Sequence, residues 1–175
     1  MPPMQIIGFG NLERGDDAAG LLVAHRLRDL GVPARDTTAD LLGLMTDWRL
    51  DQPLLLVDAV ISDRAASQPD GLILHFRPAD LPRFGKAFRF STHGLGIPEL
   101  IGMASALGRL PPEAAVLGIT GSHFGGGDRT SREVLSAVEL LAAEVATVWR
   151  DPDARAWNQL CPPPRTFAEE DAPGP

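Results

Sequence analysis

The sequence predicts a single α/β domain built on a mostly parallel, five-stranded twisted sheet with helices on both faces. Leu54-Leu55-Leu56-Val57-Asp58-Ala59-Val60 is an almost uninterrupted apolar run, the pattern of a parallel strand covered on both sides. Short apolar runs alternate along the chain with segments whose apolar residues recur at helical spacing, as in successive βαβ units. A glycine-rich turn joins the first run to the first helical segment, where open α/β sheets keep their ligand sites.

Met4-Gln5-Ile6-Ile7 reads as the first strand, and Ala19, Leu22, Val23, Leu27 and Leu30 as one face of the first helix, with Gly31 placed to end it. Residues 34–39 read as a second strand and 40–48 as a short helix carrying Leu41, Leu42, Leu44 and Met45. The 54–60 run is the third strand and 71–76 the fourth. A loop with Pro78, Pro82 and Gly85 leads to Ser91-Thr92-His93-Gly94-Leu95-Gly96 and then to a helix over about 98–107. Residues 114–119 form the fifth strand. Thr130 with Glu133 resembles a capping box opening a long helix to about Trp149, whose Val134, Leu135, Val138, Leu141, Ala142, Val145 and Val148 are expected on one face. The domain thus spans 1–150. Pro152, the run Pro162-Pro163-Pro164, Pro173 and Pro175 predict that 151–175 is a disordered tail, with Cys161 an incidental exposed thiol in it.

Composition narrows the function. The 175 residues suit one core. With 16 basic against 23 acidic residues, a net charge of -7 and no Lys/Arg-rich run, a phosphate-tracking surface is not expected, so nucleic acid is excluded as a partner. The single Cys rules out an internal disulfide framework and Cys-x-x-Cys motifs, in keeping with a reducing cytoplasm. No apolar run is long enough to span a membrane, and no signal peptide precedes the first strand.

The turn Gly8-Phe9-Gly10-Asn11-Leu12-Glu13-Arg14-Gly15-Asp16-Asp17-Ala18-Ala19-Gly20 carries the strongest chemical signal. A dinucleotide fingerprint fails at its third glycine, where Glu13 stands, and three acids around a helix start repel a phosphate. Asp16 is placed to cap the helix, leaving Asp17 available. Asp17 after the first strand, Asp58 terminating the third and His93 in the loop after the fourth would all gather at the strands' carboxyl ends. Two carboxylates and an imidazole suit a divalent transition metal while leaving coordination positions open. Each also has a plainer role: Asp58 as an acceptor for loop amides, His93 as a hydrogen-bonded loop residue. His25 reads as solvated, His75 as a strand residue without an acid near it in sequence, and His123 as a loop residue able to approach a substrate.

Taken together, the Gly-x-Gly-Asn and Gly-Asp-Asp-x-x-Gly elements, Val57-Asp58-Ala59-Val60, Ser91 to Gly96 and Gly118-Ile119-Thr120-Gly121 resemble the hydrogenase maturation proteases over residues 4–149. The resemblance implies an endopeptidase that removes the C-terminal extension of a nickel-iron hydrogenase large-subunit precursor after nickel insertion. Nickel carried by that precursor is the recognition signal. By matched position, Asp17, Asp58 and His93 would be both the metal-contacting and the catalytic residues. Two departures stand out: Ala18 where many members have glycine, and Thr120 where an acid is frequent. No His-Glu-x-x-His, Gly-x-Ser-x-Gly or cysteine within 1–150 offers another protease chemistry. The alternatives are a non-cleaving chaperone that inspects metal loading with the same side chains, and a peptidyl-tRNA hydrolase-like enzyme, which the acidic balance disfavours.

Overall fold

The computed structural model describes residues 4–37, 41–62, 69–81, 88–90, 96–151, 157–158 and 160–161. Strands β1 (Gln5–Phe9), β2 (Arg35–Thr37), β3 (Leu54–Ser62), β4 (Ile73–Phe76), β5 (Phe88–Phe90) and β6 (Ala114–Thr120) are joined by helices α1 (Ala19–Asp29), α2 (Leu41–Asp47), α3 (Ile97–Ala106) and α4 (Arg132–Arg150). The sheet runs in the order β2-β1-β3-β6-β4, the five strands expected, with β5 added as a short partner of β3. β1 lies parallel to both β2 and β3, and β3 parallel to β6. Only β4 on β6 and β5 on β3 are antiparallel.

Period-two alternation along β3 divides the core. Leu55, Val57 and Ala59 face the side covered by α1 and α4, with Val23, Leu27, Leu141 and Val145. Leu54, Leu56 and Val60 face the side covered by α2 and α3, with Leu44, Trp48, Leu100 and Ala104. Asp58 shares this second parity. All seven residues of β6 are buried, so the strand is apolar on both faces rather than alternating.

The strand order reverses between β1 and β3: the chain leaves β1 toward β2 on one side and continues through β3 on the other. Ligands of open α/β sheets bind outside the carboxyl ends of the strands at such a switch point. Close packing sets the start of α1 over this crevice. A Cβ on Gly20 would collide with the carbonyl oxygens of Val57 and Phe9, and one on Gly8 with the carbonyl oxygen of Gly20. The helix therefore rests on the strand ends with backbone against backbone.

Several expectations are corrected locally. α1 has no side-chain cap: its N-cap is Ala18, and Asp16 lies one step earlier in the 3-10 turn Gly15–Ala18. The N-cap of α4 is Ser131, whose hydroxyl accepts from the Val134 amide at 3.4 Å, while Thr130 donates its hydroxyl to the carbonyl of Gly15 instead. The chain past residue 150 is not all tail. Trp157, Leu160 and Cys161 are buried in the core on the α1/α4 side. The Leu160 carbonyl lies 2.9 Å from His75 Nδ1 on the edge strand β4. The boundary at residue 150 is thus too early, and Cys161 is not exposed; residues 162–175 lie outside the described residues.

Because backbone oxygens cannot yield as a flexible side chain does, Gly20→Ala should lower the free energy of unfolding by roughly 1–3 kcal/mol, the range of overpacked cores. The shift in urea midpoint relative to the wild-type chain measures it, and a midpoint unchanged by the added methyl would contradict the packing.

Candidate active site

The turn after β1 is built from its own hydrogen bonds. The Asn11 amide donates to the Asp17 carbonyl at 3.1 Å and the Asp17 amide to the Arg14 carbonyl at 3.1 Å, closing the loop on itself. Asn11 Oδ1 accepts from the Glu13 amide at 2.9 Å. Gly10 at φ 141 adopts a backbone conformation closed to other residues. This closed turn delivers Asp16 and Asp17 in succession, 0% and 4% exposed.

The two acids have separate tasks. Asp16 turns away from α1 toward the loop after β6. Its Oδ2 accepts from the backbone amides of Ser122 and His123 at 3.0 and 2.9 Å, and its Oδ1 from that of Ser131 at 2.7 Å. Burial pushes its pKa up, but the hydrogen bonds from Ser131, His123 and Ser122 outweigh burial and hold the carboxyl below its usual value of 3.8. Asp17 lies with its Oδ2 4.0 Å from the Arg14 guanidinium.

Asp58 is 2% exposed, and its Oδ1 accepts from the Ala59 amide at 2.8 Å. Gly8 pairs with Val57, so Asp58 lies one residue beyond, level with the end of β1 and the start of the Asp17 turn. Asp58 does not terminate its strand, as the sequence suggests: β3 runs on to Ser62 because β6 and β5 continue to pair with it, so Asp58 lies mid-strand, opposite the carboxyl end of the shorter β1. Carboxylates this deeply buried are costly unless they are paired, hydrogen-bonded or bound to a cation. His93, with residues 91–95, lies outside the described residues. The helix that follows it, α3, packs through Ile97, Leu100 and Ala104 on the sheet face to which Asp58 belongs by parity.

A second group of potential ligands lies beside the first. Asp16, Asp70 and His123 bring one ligand atom each to within 4.8 Å of one another. His123 Nδ1 is 3.4 Å from Asp16 Oδ2 and 3.9 Å from Asp70 Oδ2. The Ser122 hydroxyl donates to Asp70 at 2.7 Å. Since Asp16 Oδ2 already accepts two amides, this group reads as a hydrogen-bonded rim. The glycine-rich sequence around His123 puts it in a loop able to approach a substrate, whereas Asp70 and Ser122 carry no signal of their own in sequence.

The remaining departures are structural. Thr120, 3% exposed, donates its hydroxyl to the Pro69 carbonyl at 2.8 Å and accepts from the Leu72 amide at 2.9 Å, fixing the turn into β4. His25 pairs with Asp36 at 2.8 Å on the surface. Burial pushes the Cys161 thiol up, so it is held as a neutral thiol and not as a nucleophile. No helix among the described residues is long and apolar enough to cross a membrane.

No protein-family model matches the chain, and no curated protein matches it in sequence. Solved structures do. The NiFe hydrogenase maturation protease HybD from Thermococcus kodakarensis superposes with a TM-score of 0.67 at 23% identity, covering 83% of this chain and 97% of that one. The hydrogenase maturating endopeptidase HybD from E. coli gives 0.70 at 19% identity, over 86% and 93% of the two chains. The solution structure of the endopeptidase HycI from Escherichia coli gives 0.65 at 22% identity, over 83% and 90%. The chain shares their fold.

Because the depressed Asp16 carboxyl is favoured in the folded state, its stabilising contribution is complete above about pH 4 and is lost as pH falls through its folded pKa. Asp16→Asn should therefore cost about 2 kcal/mol or more at pH 7, with the gap to wild type narrowing toward pH 2. Urea unfolding as a function of pH reads both; a gap that widens in acid would contradict the assignment.

Proposed function

We propose that the chain is a cytoplasmic endopeptidase of the hydrogenase maturation type, removing the C-terminal extension of a nickel-iron hydrogenase large-subunit precursor once nickel has been inserted. The observation that carries this reading is the pair of buried carboxylates, Asp17 in the turn after β1 and Asp58 in β3 level with the end of β1, beside the switch point. They stand at the motif positions of the maturation proteases, within a fold shared with solved maturation endopeptidases. The precursor is the substrate and the nickel arrives with it.

In this reading Asp17, Asp58 and His93 contact the nickel-bearing centre of the docked precursor and thereby set the adjacent scissile peptide in register. An oxygen-oxygen-nitrogen donor set suits a borderline divalent ion. Recognition of a metal borne by the substrate makes cleavage conditional on metal insertion. Two routes to hydrolysis fit these residues. The ion polarises the scissile carbonyl or a water, which contributes several kcal/mol to the transition state. Alternatively one of the carboxylates takes the proton of the attacking water, and the ion serves only to position the peptide.

Purified protein incubated with nickel-loaded precursor should shorten it by the mass of its extension, while nickel-free precursor stays intact. Asp17→Ala, Asp58→Ala and His93→Ala should each slow the shortening by about a hundredfold or more while staying folded by circular dichroism. Wild-type rates in all three variants would remove the site. Unchanged mass of the loaded precursor, with binding retained, would instead establish the non-cleaving metal-inspection reading.

A further inference from the structure

The loop after β6 leaves the sheet at Gly121 and returns at Ser131, the N-cap of α4. Both of its feet are held by one side chain. Asp16 Oδ2 takes the amides of Ser122 and His123 at the outgoing foot, and Asp16 Oδ1 takes the amide of Ser131 at the returning foot. Its own amide donates to the His123 carbonyl at 2.7 Å. A Cβ on Gly121 would meet the Asp16 Cβ at 2.6 Å, so that foot and the acid are in direct contact.

Further stitches join the same two segments. The Arg14 guanidinium donates to the Phe124 carbonyl at 2.9 and 3.2 Å. The Gly127 amide donates to the Glu13 carbonyl at 2.8 Å, and the Thr130 hydroxyl to the Gly15 carbonyl at 2.8 Å. By contrast, nothing within 4 Å would meet a Cβ on Gly126 or Gly127 at the loop's tip. The loop is fixed at its base by the very turn that carries Asp17.

We infer that Asp16 is a positioning residue: its buried carboxylate locks the Ser122–Ser131 loop and the Asp17 turn into one body, so that Asp17 meets the docked peptide already in place. This rests on the endopeptidase reading for its effect on turnover and on the loop geometry alone for the lock. A carboxylate suits the task because it accepts on both oxygens. An asparagine in its place turns an N–H toward one of the amides and opens a foot of the loop. Misplacing a reacting group by about 1 Å can cost a hundredfold in rate. The loss should therefore fall on turnover and leave capture of the precursor nearly intact.

The test compares Asp16→Asn with wild type in two measurements on the full chain. Hydrogen exchange at the amides of Asn11 and Asp17, which do not bond to the Asp16 side chain, should quicken about tenfold when the lock is opened. Cleavage of nickel-loaded precursor should show kcat per folded molecule reduced about ten- to a hundredfold with KM within about twofold. Thr130→Val removes a different stitch and should shift both readouts the same way by less, with Thr130→Ser restoring them; this pair decides the matter if Asp16→Asn does not fold. Unaltered exchange in the Asp17 turn overturns the lock. Quickened exchange with wild-type kcat overturns its bearing on catalysis, since a purely structural acid changes only the folded fraction. If the wild-type chain leaves loaded precursor uncut, the endopeptidase reading fails while the exchange measurement still decides the lock.

Discussion

The structure depends on one backbone-to-backbone contact, the seating of α1 at Gly20 on the carbonyls of Phe9 and Val57. No other residue type allows helix and strands to approach so closely, and the approach fixes where the helix begins. Because α1 starts directly above the β1/β3 switch point, the turn feeding it has little room. It closes on itself through the Asn11 amide and the Asp17 carbonyl, and its two acids end up buried rather than solvated. The cost of burying carboxylates is the consequence of that geometry, and the chain meets it differently for each.

For Asp16 the offset is complete and local to the fold. Three backbone amides on two oxygens leave the charge better stabilised inside than in water, and its lowered pKa is the signature of that. Asp58 accepts the Ala59 amide, and Asp17 lies 4.0 Å from the Arg14 guanidinium. One acid of the pair therefore anchors the scaffold to the loop after β6, while its neighbour lies beside Arg14. Adjacent residues in a 3-10 turn project about 120° apart, which lets two consecutive aspartates serve two different surfaces.

The architecture was legible because it rests on local pattern. The apolar run of β3, the helical spacing of Val134, Leu141 and Val145 in α4 and the glycine after α1, observed at φ 77, each determine their element from a few neighbouring residues. The burial of Asp58 follows from the same pattern, an acid inside an apolar run, but the run's length did not show that the strand continues to Ser62. The task of Asp16 was not legible. A carboxylate ahead of a helix is ordinarily a cap, and only the fold reveals partners 106, 107 and 115 residues away. Once the Ser122–Ser131 loop competes for that carboxylate, the helix starts uncapped. Ser131 then caps α4, because Thr130 is committed to Gly15. The anchoring of Trp157 and Leu160 escaped composition too: prolines on either side suggest a tail, yet two large apolar residues suffice to dock a short segment on the core.

Thr120 shows how such a scaffold absorbs a change near its site. A hydroxyl at this buried position both donates and accepts, and it spends both capacities on Pro69 and Leu72, fixing the turn that presents Asp70. Asp70 in turn holds the Ser122 hydroxyl, at the same foot that Asp16 grips from beneath. An acid at position 120 would add a third carboxylate close to Asp16, and the mutual repulsion would have to be met by protonation or a cation. With threonine there, the loop's outgoing foot is held between one buried and one half-buried acid by neutral donors alone. The outgoing foot of this loop is thus held without an acid at position 120.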